Sequence, residues 1–455
     1  MVATVNVKRI LVANRGAIAR RVIRAIREMG LESVAVYSEA DKDLPYLQEA
    51  DFAECIGPPT PLQSYLNQQI ILKVARDYEV DALHPGYGFL SENADFARAV
   101  QKAGVCFIGP SPDLIQMLGH KTQARDAMRA AGMPMVDSSD VLGDDLAEVH
   151  AAAERLGFPL LIKPASGGGG IGMLPLFSAN QIATEWPRAR SISERSFGRT
   201  DLYLEPFIQA PRHIEFQFLA DKYGGVRCIY ERDCSTQRRH QKVLEEAPAP
   251  ALDRDCVAAM AAQLEKILAA LRYDVIGTVE MLYTPDRGFS FLEVNTRLQV
   301  EHAVTEEVTG IDLVKAQIRL ATGEQIDDVL PKTISLGGHA LEARIYAEDP
   351  VRFIPSPGVL KEFVPPSMEA VRVETGYQQG SRISSYYDPL VAKVIAKAET
   401  RDAAIQILSA ALQAFTISGV KTNIPFIQRV LADKDFGRAV VSTEIVQRIL
   451  ADSAK

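Results

Sequence analysis

The stretch that decides the fold runs from residue 276 to residue 302 and reads IGTVEMLYTPDRGFSFLEVNTRLQVEH. Its β-branched and aromatic residues predict one strand to residue 283 and another from 289 to about 302, joined by a turn. Antiparallel pairing about the centre of that turn places Glu280 opposite Glu293. Two facing carboxylates repel each other unless a cation lies between them, and carboxylate oxygens suit Mg²⁺ or Mn²⁺ bound to nucleotide phosphates. The hairpin therefore predicts a site for a divalent cation.

The second strand of this hairpin carries a polar face. Side chains alternate along a strand, so residues at every second position share one side. Here those residues are Glu293, Asn295, Arg297, Gln299 and Glu301. A solvated face is the ordinary alternative for an antiparallel sheet, but it leaves Glu280 across the hairpin unexplained. We therefore favour a face that binds metal and substrate.

A glycine run forms the second feature. Its members have almost no side chains, so their backbone N–H groups can close on an anion such as a phosphate: Gly167, Gly168, Gly169 and Gly170. The run is not a P-loop, because the lysine precedes it and no Gly-Lys-Ser/Thr follows. A flexible surface loop is an equal alternative on the glycines alone. Lys163, at the end of an apolar strand over 160–162, favours phosphate binding.

The third feature is a basic segment over 231–242, ERDCSTQRRHQK, in a chain whose net charge is −8. Its basic residues are Arg232, Arg238, Arg239, His240 and Lys242. Such a run is usually a solvated surface. The clustering of positive charge in a protein whose net charge is negative instead suggests an anion site.

Composition limits the class of protein. At about 150 residues per domain, the 455 residues predict roughly three domains, and 47% hydrophobic with 24% charged residues excludes disordered and fibrous classes. The acidic balance argues against a nucleic-acid or membrane-surface binder. The start of the chain has no signal-peptide pattern, no apolar run is long enough to span a membrane, and the five scattered cysteines form no disulfide framework. We expect a cytoplasmic protein in a reducing compartment.

The order of predicted elements indicates an α/β architecture at the N-terminus. Apolar strands at 10–12, 34–36, 81–83 and 105–108 alternate with helical patterns, which is typical of a parallel, wound sheet. The first turn lacks GxGxxG, so a dinucleotide site is not supported. Further along, helices are predicted from Asp253 to about 271 and over 402–415, with strands between and around them.

Four segments resemble the biotin carboxylases of the ATP-grasp superfamily, within a likeness that runs from about residue 13 to about residue 423. The segments are residues 84–93 (HPGYGFLSEN), 231–242, 246–250 (EAPAP) and 293–302 (EVNTRLQVEH). The resemblance implies an α/β and α+β multidomain fold in three parts. These are an N-terminal wound α/β (pre-ATP-grasp) domain over 1–118, an ATP-grasp domain over 119–334 with a mobile lid at about 137–208, and a C-terminal mixed β/α domain over 335–455.

The resemblance also implies a reaction. MgATP (or MnATP) and bicarbonate form carboxyphosphate, which carboxylates N1′ of biotin on a biotin carboxyl carrier protein. We expect one subunit of a multi-subunit enzyme such as acetyl-CoA carboxylase, a homodimer that works with carrier and carboxyltransferase subunits and with neither nucleic acid nor membrane. A urea- or amide-type carboxylase, favoured weakly by the string GGGGIGM from Gly167, stays open, as does another ATP-grasp ligase.

The family's functional residues have counterparts here. The resemblance implies nucleotide contacts at Lys121, Lys163, Gly167–Gly170, Glu205, Ile208, His213, Gln237, His240 and Leu282. It implies metal ligation by Glu280, Glu293 and Asn295. It implies a bicarbonate pocket and base from Lys242, Arg297, Gln299, Val300 (backbone) and Glu301, with Arg344 steadying the biotin enolate. Departures from the commonest family pattern occur at Ala17, His120, Ile171 and Pro206, and Ile171 predicts weaker contacts between lid and phosphate.

Overall fold

The N-terminal part of the chain is a parallel, wound α/β sheet, as predicted. The computed structural model describes residues 5–165 and 171–452. The strand order is β3-β2-β1-β4-β5, with every pairing parallel. The strands are β1 (Arg9–Val12), β2 (Glu32–Tyr37), β3 (Phe52–Cys55), β4 (Ala82–His84) and β5 (Cys106–Phe107). The helices are α1 (Gly16–Glu28), α2 (Tyr46–Glu49), α3 (Gln68–Asp77), α4 (Ala94–Lys102) and α5 (Pro112–Gly119).

One strand of this sheet, β3, is not predicted by the sequence. It lies at the edge of the sheet, and three of its four residues are exposed. It therefore lacks the apolar run by which a buried strand is recognised.

A smaller unit over residues 142–206 has a core of its own, built around the buried Trp186. Its antiparallel sheet has the order β7-β6-β8. After α6 (Lys121–Ala130), its elements are α7 (Leu146–Leu156), β6 (Leu160–Pro164), β7 (Leu174–Leu176), α8 (Ile182–Phe197) and β8 (Leu202–Pro206). The predicted phosphate loop at Gly167–Gly170, between β6 and β7, lies outside the described residues.

An eight-stranded antiparallel sheet spans the rest of the chain in the order β13-β12-β9-β10-β11-β14-β19-β17. Its strands are β9 (Arg212–Ala220), β10 (Val226–Arg238), β11 (Gln241–Ala247), β12 (Val275–Thr284), β13 (Gly288–Asn295), β14 (His339–Tyr346), β17 (Val371–Thr375) and β19 (Leu390–Ala398). The pairing of β11 with β14 joins strands on the two sides of residue 335. The predicted boundary between the second and third domains therefore crosses a continuous sheet.

Helices cover this sheet, and two short strand pairs complete the C-terminal part. The pairs are β15 (Gly358–Val359) with β18 (Arg382–Ile383), and β16 (Glu362–Val364) with β20 (Thr416–Ser418). The helices are α9 (Arg254–Ala270), α10 (His302–Thr309), α11 (Leu313–Ala321), α12 (Ile326–Val329), α13 (Arg401–Ala414), α14 (Ile424–Leu431), α15 (Lys434–Gly437) and α16 (Ile445–Asp452). Asp253 caps α9 as predicted, by accepting from two backbone N–H groups. Within residues 5–165 and 171–452, no helix is long and apolar enough to cross a membrane.

The decisive hairpin has the predicted pairing but reaches it differently. Nearer the turn, residues 281–284 pair with residues 288–291. One extra residue of β13 then forms a bulge, which brings Glu293 opposite Glu280. The prediction of a strand to about residue 302 is wrong, because β13 ends at Asn295 and residues 296–301 are irregular. β13 is an edge strand, and the next backbone N–H, that of Thr296, donates to Glu92 of the N-terminal domain at 3.1 Å instead of to a strand.

Candidate active site

The ammonium group of Lys242 lies among three buried carboxylates. From β11, Lys242 donates to Glu215 on β9 and to Glu280 on β12, the latter at 3.0 Å. It also donates to Glu301, just before α10, at 2.7 Å. Glu215 and Glu280 are close because they are directly opposed in the register of β9 and β12. Burial lowers the pKa of Lys242, but the three carboxylates outweigh it and raise that pKa well above its usual value.

Glu301 is held between two cations. Its Oε1 accepts from Lys242, and its Oε2 accepts from Nη2 of Arg344, on β14, at 2.9 Å. Burial raises the pKa of Glu301, yet Lys242, Arg344 and Arg232 hold that pKa well below its usual range. The Glu301 carboxylate is therefore ionised at neutral pH. Arg344 is itself held by Glu245, which accepts from its Nε at 2.5 Å.

Basic side chains of the segment over 231–242 pair with carboxylates inside the protein. Arg232 is wholly buried; its Nη2 lies 3.2 Å from Glu215, and its Nη1 donates to Thr305 at 3.0 Å. Arg238 lies 2.7 Å from Glu348. Three of the five basic side chains predicted to attract an anion are thus engaged with internal carboxylates, because Lys242 is engaged as well. Arg232 and Lys242 both contact Glu215 of the carboxylate cluster.

Arg297 is anchored on both sides. Its Nε donates to Glu92 at 2.8 Å, and its Nη2 and Nη1 donate to Asn295 at 2.9 Å and to Gln299 at 3.1 Å. The amides of Asn295 and Gln299 in turn donate to Oε1 of Glu280, at 2.9 and 3.1 Å. Asn295, Arg297 and Gln299 of the predicted polar face therefore converge with Glu280, although β13 ends at Asn295.

A divalent cation fits this donor set. The hairpin puts the carboxylates of Glu280 and Glu293 on directly opposed positions, and such oxygens suit Mg²⁺ or Mn²⁺. The opposed acids Glu215 and Glu280, with His213, also place one ligand atom each within 4.8 Å of one another. Asn295 donates to Glu280 and accepts from Arg297, so both of its polar atoms are used within the protein in this conformation. The metal-ligand roles of Glu280, Glu293 and Asn295 stay predictions.

Five of the predicted nucleotide residues lie on strands of two sheets: His213, Gln237 and Leu282 on the large sheet, and Lys163 and Glu205 on the small sheet. On the large sheet, Nδ1 of His213 lies 2.7 Å from Nε2 of Gln237 and its Nε2 lies 2.9 Å from Glu280, while Leu282 is opposite His213 in register. Burial lowers the pKa of His213, but Glu280 raises it above its usual value. His240 is exposed in the turn between β10 and β11.

On the small sheet, Lys163 donates to Glu205 at 2.8 Å, and Ile208 lies half-buried beyond the end of β8. Burial lowers the pKa of Lys163, yet Glu205 and Tyr203 raise it above its usual value, so the lysine is charged. Lys121 begins α6, and its side chain is outside the described part of the chain. The small sheet thus supplies a buried cation that faces a carboxylate.

Three family descriptions together span nearly the whole chain. "Biotin carboxylase, N-terminal domain" matches residues 6–115, "Carbamoyl-phosphate synthase L chain, ATP binding domain" matches 120–329, and "Biotin carboxylase C-terminal domain" matches 342–448. The biotin carboxylase of Halalkalibacterium halodurans is 46% identical over 440 residues, which cover 96% of this chain and 97% of the relative. The chain belongs to the biotin carboxylase family. The resemblance carried by the four motifs is thereby confirmed.

Solved structures of biotin carboxylases share the whole fold. The biotin carboxylase–βγ-ATP complex from Campylobacter jejuni has a TM-score of 0.94 at 40% identity, covering 98% of this chain and 99% of that one. The biotin carboxylase domain dimer of the Hydrogenobacter thermophilus 2-oxoglutarate carboxylase, in complex with MgADP, ADP and bicarbonate, has a TM-score of 0.93 at 40% identity, covering 98% of both chains. The predicted three-part biotin carboxylase architecture is confirmed.

Two residues of this biotin carboxylase site, Glu92 and Glu215, are not predicted from the sequence as functional, and a third, Arg232, differs from its prediction. Glu92 lies within HPGYGFLSEN, a motif that indicates the family but not that the Glu92 carboxylate accepts from Arg297. Arg232 is predicted to be one of the basic side chains of an anion site, whereas it lies buried against Glu215. Glu215 had no local signal, because only the register of β9 with β12 reveals its neighbour.

Proposed function

We propose that this biotin carboxylase uses ATP and bicarbonate to carboxylate biotin on a biotin carboxyl carrier protein, through carboxyphosphate, as a subunit of a biotin-dependent carboxylase. The observation that carries the proposal is the buried Glu301 carboxylate, which accepts from both Lys242 and Arg344. Relatives support it, since the Campylobacter structure is a βγ-ATP complex and the Hydrogenobacter structure contains MgADP and bicarbonate. Acetyl-CoA or another acyl-CoA as the final acceptor stays a prediction.

The arrangement suits deprotonation of a bound anion. A guanidinium and an amide, from Arg297 and Gln299, together with Lys242 and the Val300 backbone N–H, would hold bicarbonate. Glu301 is adjacent in the chain and ionised, so it can accept the bicarbonate proton. The oxygen that loses this proton is then a stronger nucleophile toward the terminal phosphorus of ATP, and ADP leaves as carboxyphosphate forms.

Arg344 would serve the second half of the reaction. When biotin loses its N1′ proton, negative charge develops on the ureido oxygen, and a fixed guanidinium stabilises that oxyanion. Burial lowers the pKa of Arg344, but Glu245 and other neighbours raise it well above its usual value, so the positive charge is permanent. Its 2.9 Å contact with Glu301 puts the base and this cation in one cluster.

Metal and nucleotide would bind beside this cluster. Glu280 and Glu293, with Asn295, would hold Mg²⁺ or Mn²⁺, which supplies positive charge to the phosphates of ATP. The remaining proposed nucleotide contacts are Lys121, Lys163, Gly167–Gly170, Glu205, Ile208, His213, Gln237, His240 and Leu282. The predicted lid, over about 137–208, contains the separately packed β7-β6-β8 unit, which supports movement of that unit as one body over the nucleotide.

The assembly is part of the same proposal. We expect a homodimer, since the Hydrogenobacter relative is described as a dimer, and carrier and carboxyltransferase subunits as partners. The proposed location is the cytoplasm. The domains are proposed at 1–118, 119–334 and 335–455.

The test is ADP release from ATP with bicarbonate, with and without free biotin. We expect bicarbonate-dependent hydrolysis that biotin stimulates, and loss of the stimulation in Arg344→Ala while ATP still binds. ATP hydrolysis that no concentration of biotin changes would overturn the proposal. Hydrolysis driven by an amine or another carboxylate instead would point to a different ATP-grasp ligase.

A further inference from the structure

Lys393 is a fully buried lysine close to the active site that none of the roles above includes. It lies on β19 with 1% of its side chain exposed, and its Nζ donates to the carbonyl oxygen of Val300 at 2.6 Å. Two carboxylates flank the ammonium group, Glu374 at 3.1 Å and Glu342 at 3.4 Å. Burying a lysine is costly unless its charge is paired, so these acids explain how it is tolerated. They do not explain why its shortest contact is to a backbone carbonyl.

The sheet register places Lys393 beside the proposed oxyanion-stabilising residue. β19 lies between β14 and β17, and Lys393 is directly opposite Arg344 on one side and Glu374 on the other. Directly opposed residues project on the same face of a sheet. Glu342 precedes Arg344 by two positions on β14 and therefore shares that face. The sheet thus delivers Lys393 to the same side as Arg344.

The carbonyl that Lys393 holds belongs to the segment that carries the bicarbonate residues. Residues 296–301 are irregular and belong to no strand, so no ladder of backbone hydrogen bonds fixes them. Side chains hold its backbone instead: Glu92 accepts from the Thr296 N–H at the start of the segment, and two other side chains hold the carbonyls just before Glu301. Nδ1 of His302 donates to the carbonyl of Gln299 at 2.8 Å, and Lys393 donates to the next carbonyl, that of Val300. Fixing both carbonyls sets the direction of the peptide that leads into Glu301.

We infer that Lys393 is a positioning residue for bicarbonate. By holding the Val300 carbonyl, it aims the Val300 N–H and the Glu301 carboxylate at the bicarbonate pocket. It does not touch the substrate, and this inference rests on the proposed function. Loss of the ammonium group frees the peptide, so bicarbonate binding weakens and ATP binding, which uses other strands, does not.

The first test is Lys393→Met in the full chain, with initial rates of ADP release measured at varied bicarbonate and varied ATP. Removing a hydrogen bond from a charged group is expected to raise the KM for bicarbonate about tenfold or more and to leave the KM for ATP unchanged. The matched control is Lys397→Met, because Lys397 is on the same strand but exposed, and its kinetics should equal those of the parent.

A second variant guards against loss of folding. Glu374 keeps Arg24, at 3.1 Å, and Arg372 when Lys393 is removed, whereas both carboxylate oxygens of Glu342 are buried without a hydrogen bond among the described residues. The double variant Lys393→Met/Glu342→Gln therefore removes one buried cation together with one potential anion. We expect the double variant to show the same rise in the KM for bicarbonate as Lys393→Met. Its thermal unfolding temperature should be closer to that of the parent than the temperature of Lys393→Met is.

The outcomes separate the two proposals. Unchanged KM values in the folded variants, or an equal rise in both KM values, would assign Lys393 a structural role only and overturn the inference. Partial recovery of the bicarbonate KM in Lys393→Arg, which restores a donor, would support it. If the parent protein shows no biotin-stimulated hydrolysis, the proposed function fails, and that result is obtained before any variant is measured.

Discussion

Replacing Glu301 by glutamine removes the charge at the centre of the site while nearly preserving its shape. In the parent protein, Oε1 of Glu301 accepts from Lys242 at 2.7 Å and Oε2 accepts from Arg344 at 2.9 Å. Glutamine keeps one acceptor oxygen and turns the other position into an N–H donor that faces a cation. One of the two charge-assisted hydrogen bonds is therefore lost and replaced by repulsion.

The effect on stability is limited because both cations keep other partners. Lys242 still contacts Glu215 and Glu280, and Arg344 still contacts Glu245. Breaking an isolated buried ion pair costs about 3–5 kcal/mol. Here we expect the free energy of unfolding to fall by about 1.5–3 kcal/mol, the contribution of one hydrogen bond to a charged group.

The effect on catalysis is larger. A positioned general base contributes about 10²–10⁴-fold, so kcat for biotin-stimulated ADP release should fall by that factor in Glu301→Gln. ATP affinity should be unchanged, because His213 and Gln237 keep their contact. The assays are ADP release at saturating substrates, calorimetric ATP binding and urea unfolding. Glu307→Gln is the control, since Glu307 lies on α10 beside the site but pairs with Arg372 at 3.2 Å.

One result would refute the assignment of Glu301 as the base. If Glu301→Gln binds ATP normally and turns over within about tenfold of the parent, another group removes the bicarbonate proton. A fall in kcat that Glu307→Gln shows equally would instead trace to disturbance of α10.

Three further perturbations have defined outcomes. Glu92→Gln replaces the carboxylate that anchors Arg297, and initial rates should show a KM for bicarbonate raised by about tenfold with the KM for ATP unchanged. Lys163→Met removes the cation facing Glu205, and calorimetry should show ATP binding weakened by about tenfold or more. Burial lowers the pKa of His84 to about 3, so its contribution to stability is full above about pH 6.5 and is lost as pH falls, by up to about 1.4 kcal/mol per unit. Urea unfolding at pH 7 and pH 5 should therefore differ less for His84→Asn than for the parent.

The hairpin illustrates how far local pattern carries a prediction. Pairing of Glu280 with Glu293 follows from symmetry about the turn, and the structure has it, but only because a bulge cancels a one-residue difference near the turn. Arg297 and Gln299 do converge with Asn295 and Glu280, although they lie beyond the end of the strand. The alternation of side chains along a predicted strand thus grouped these residues correctly. What brings them together is a set of side-chain hydrogen bonds beyond the end of the strand, which the sequence does not reveal.

Long-range pairing explains what the sequence could not reveal. Lys393 lies 93 positions from Val300 along the chain, and its charge would ordinarily indicate a surface residue. Its burial depends on β19 lying between β14 and β17, an order that no local pattern encodes. The same holds for Glu215, which meets Glu280 only through the register of β9 with β12. Family motifs indicate the residues that we propose to contact substrate, whereas the supporting residues are found only from the fold.

The continuous large sheet fixes the distance between Lys242 and Arg344, the residues proposed for the two halves of the reaction. Lys242 is on β11 and Arg344 is on β14, and these strands are hydrogen-bonded neighbours over residues 244–247 and 340–343. The group that would hold bicarbonate and the group that would steady the biotin oxyanion cannot separate without breaking that ladder. The proposed closure over the nucleotide is therefore assigned to the β7-β6-β8 unit, which packs around a core of its own. Carboxyphosphate formed beside this sheet would therefore react without leaving the site. The carrier protein would bring biotin to the site and move carboxybiotin away from it.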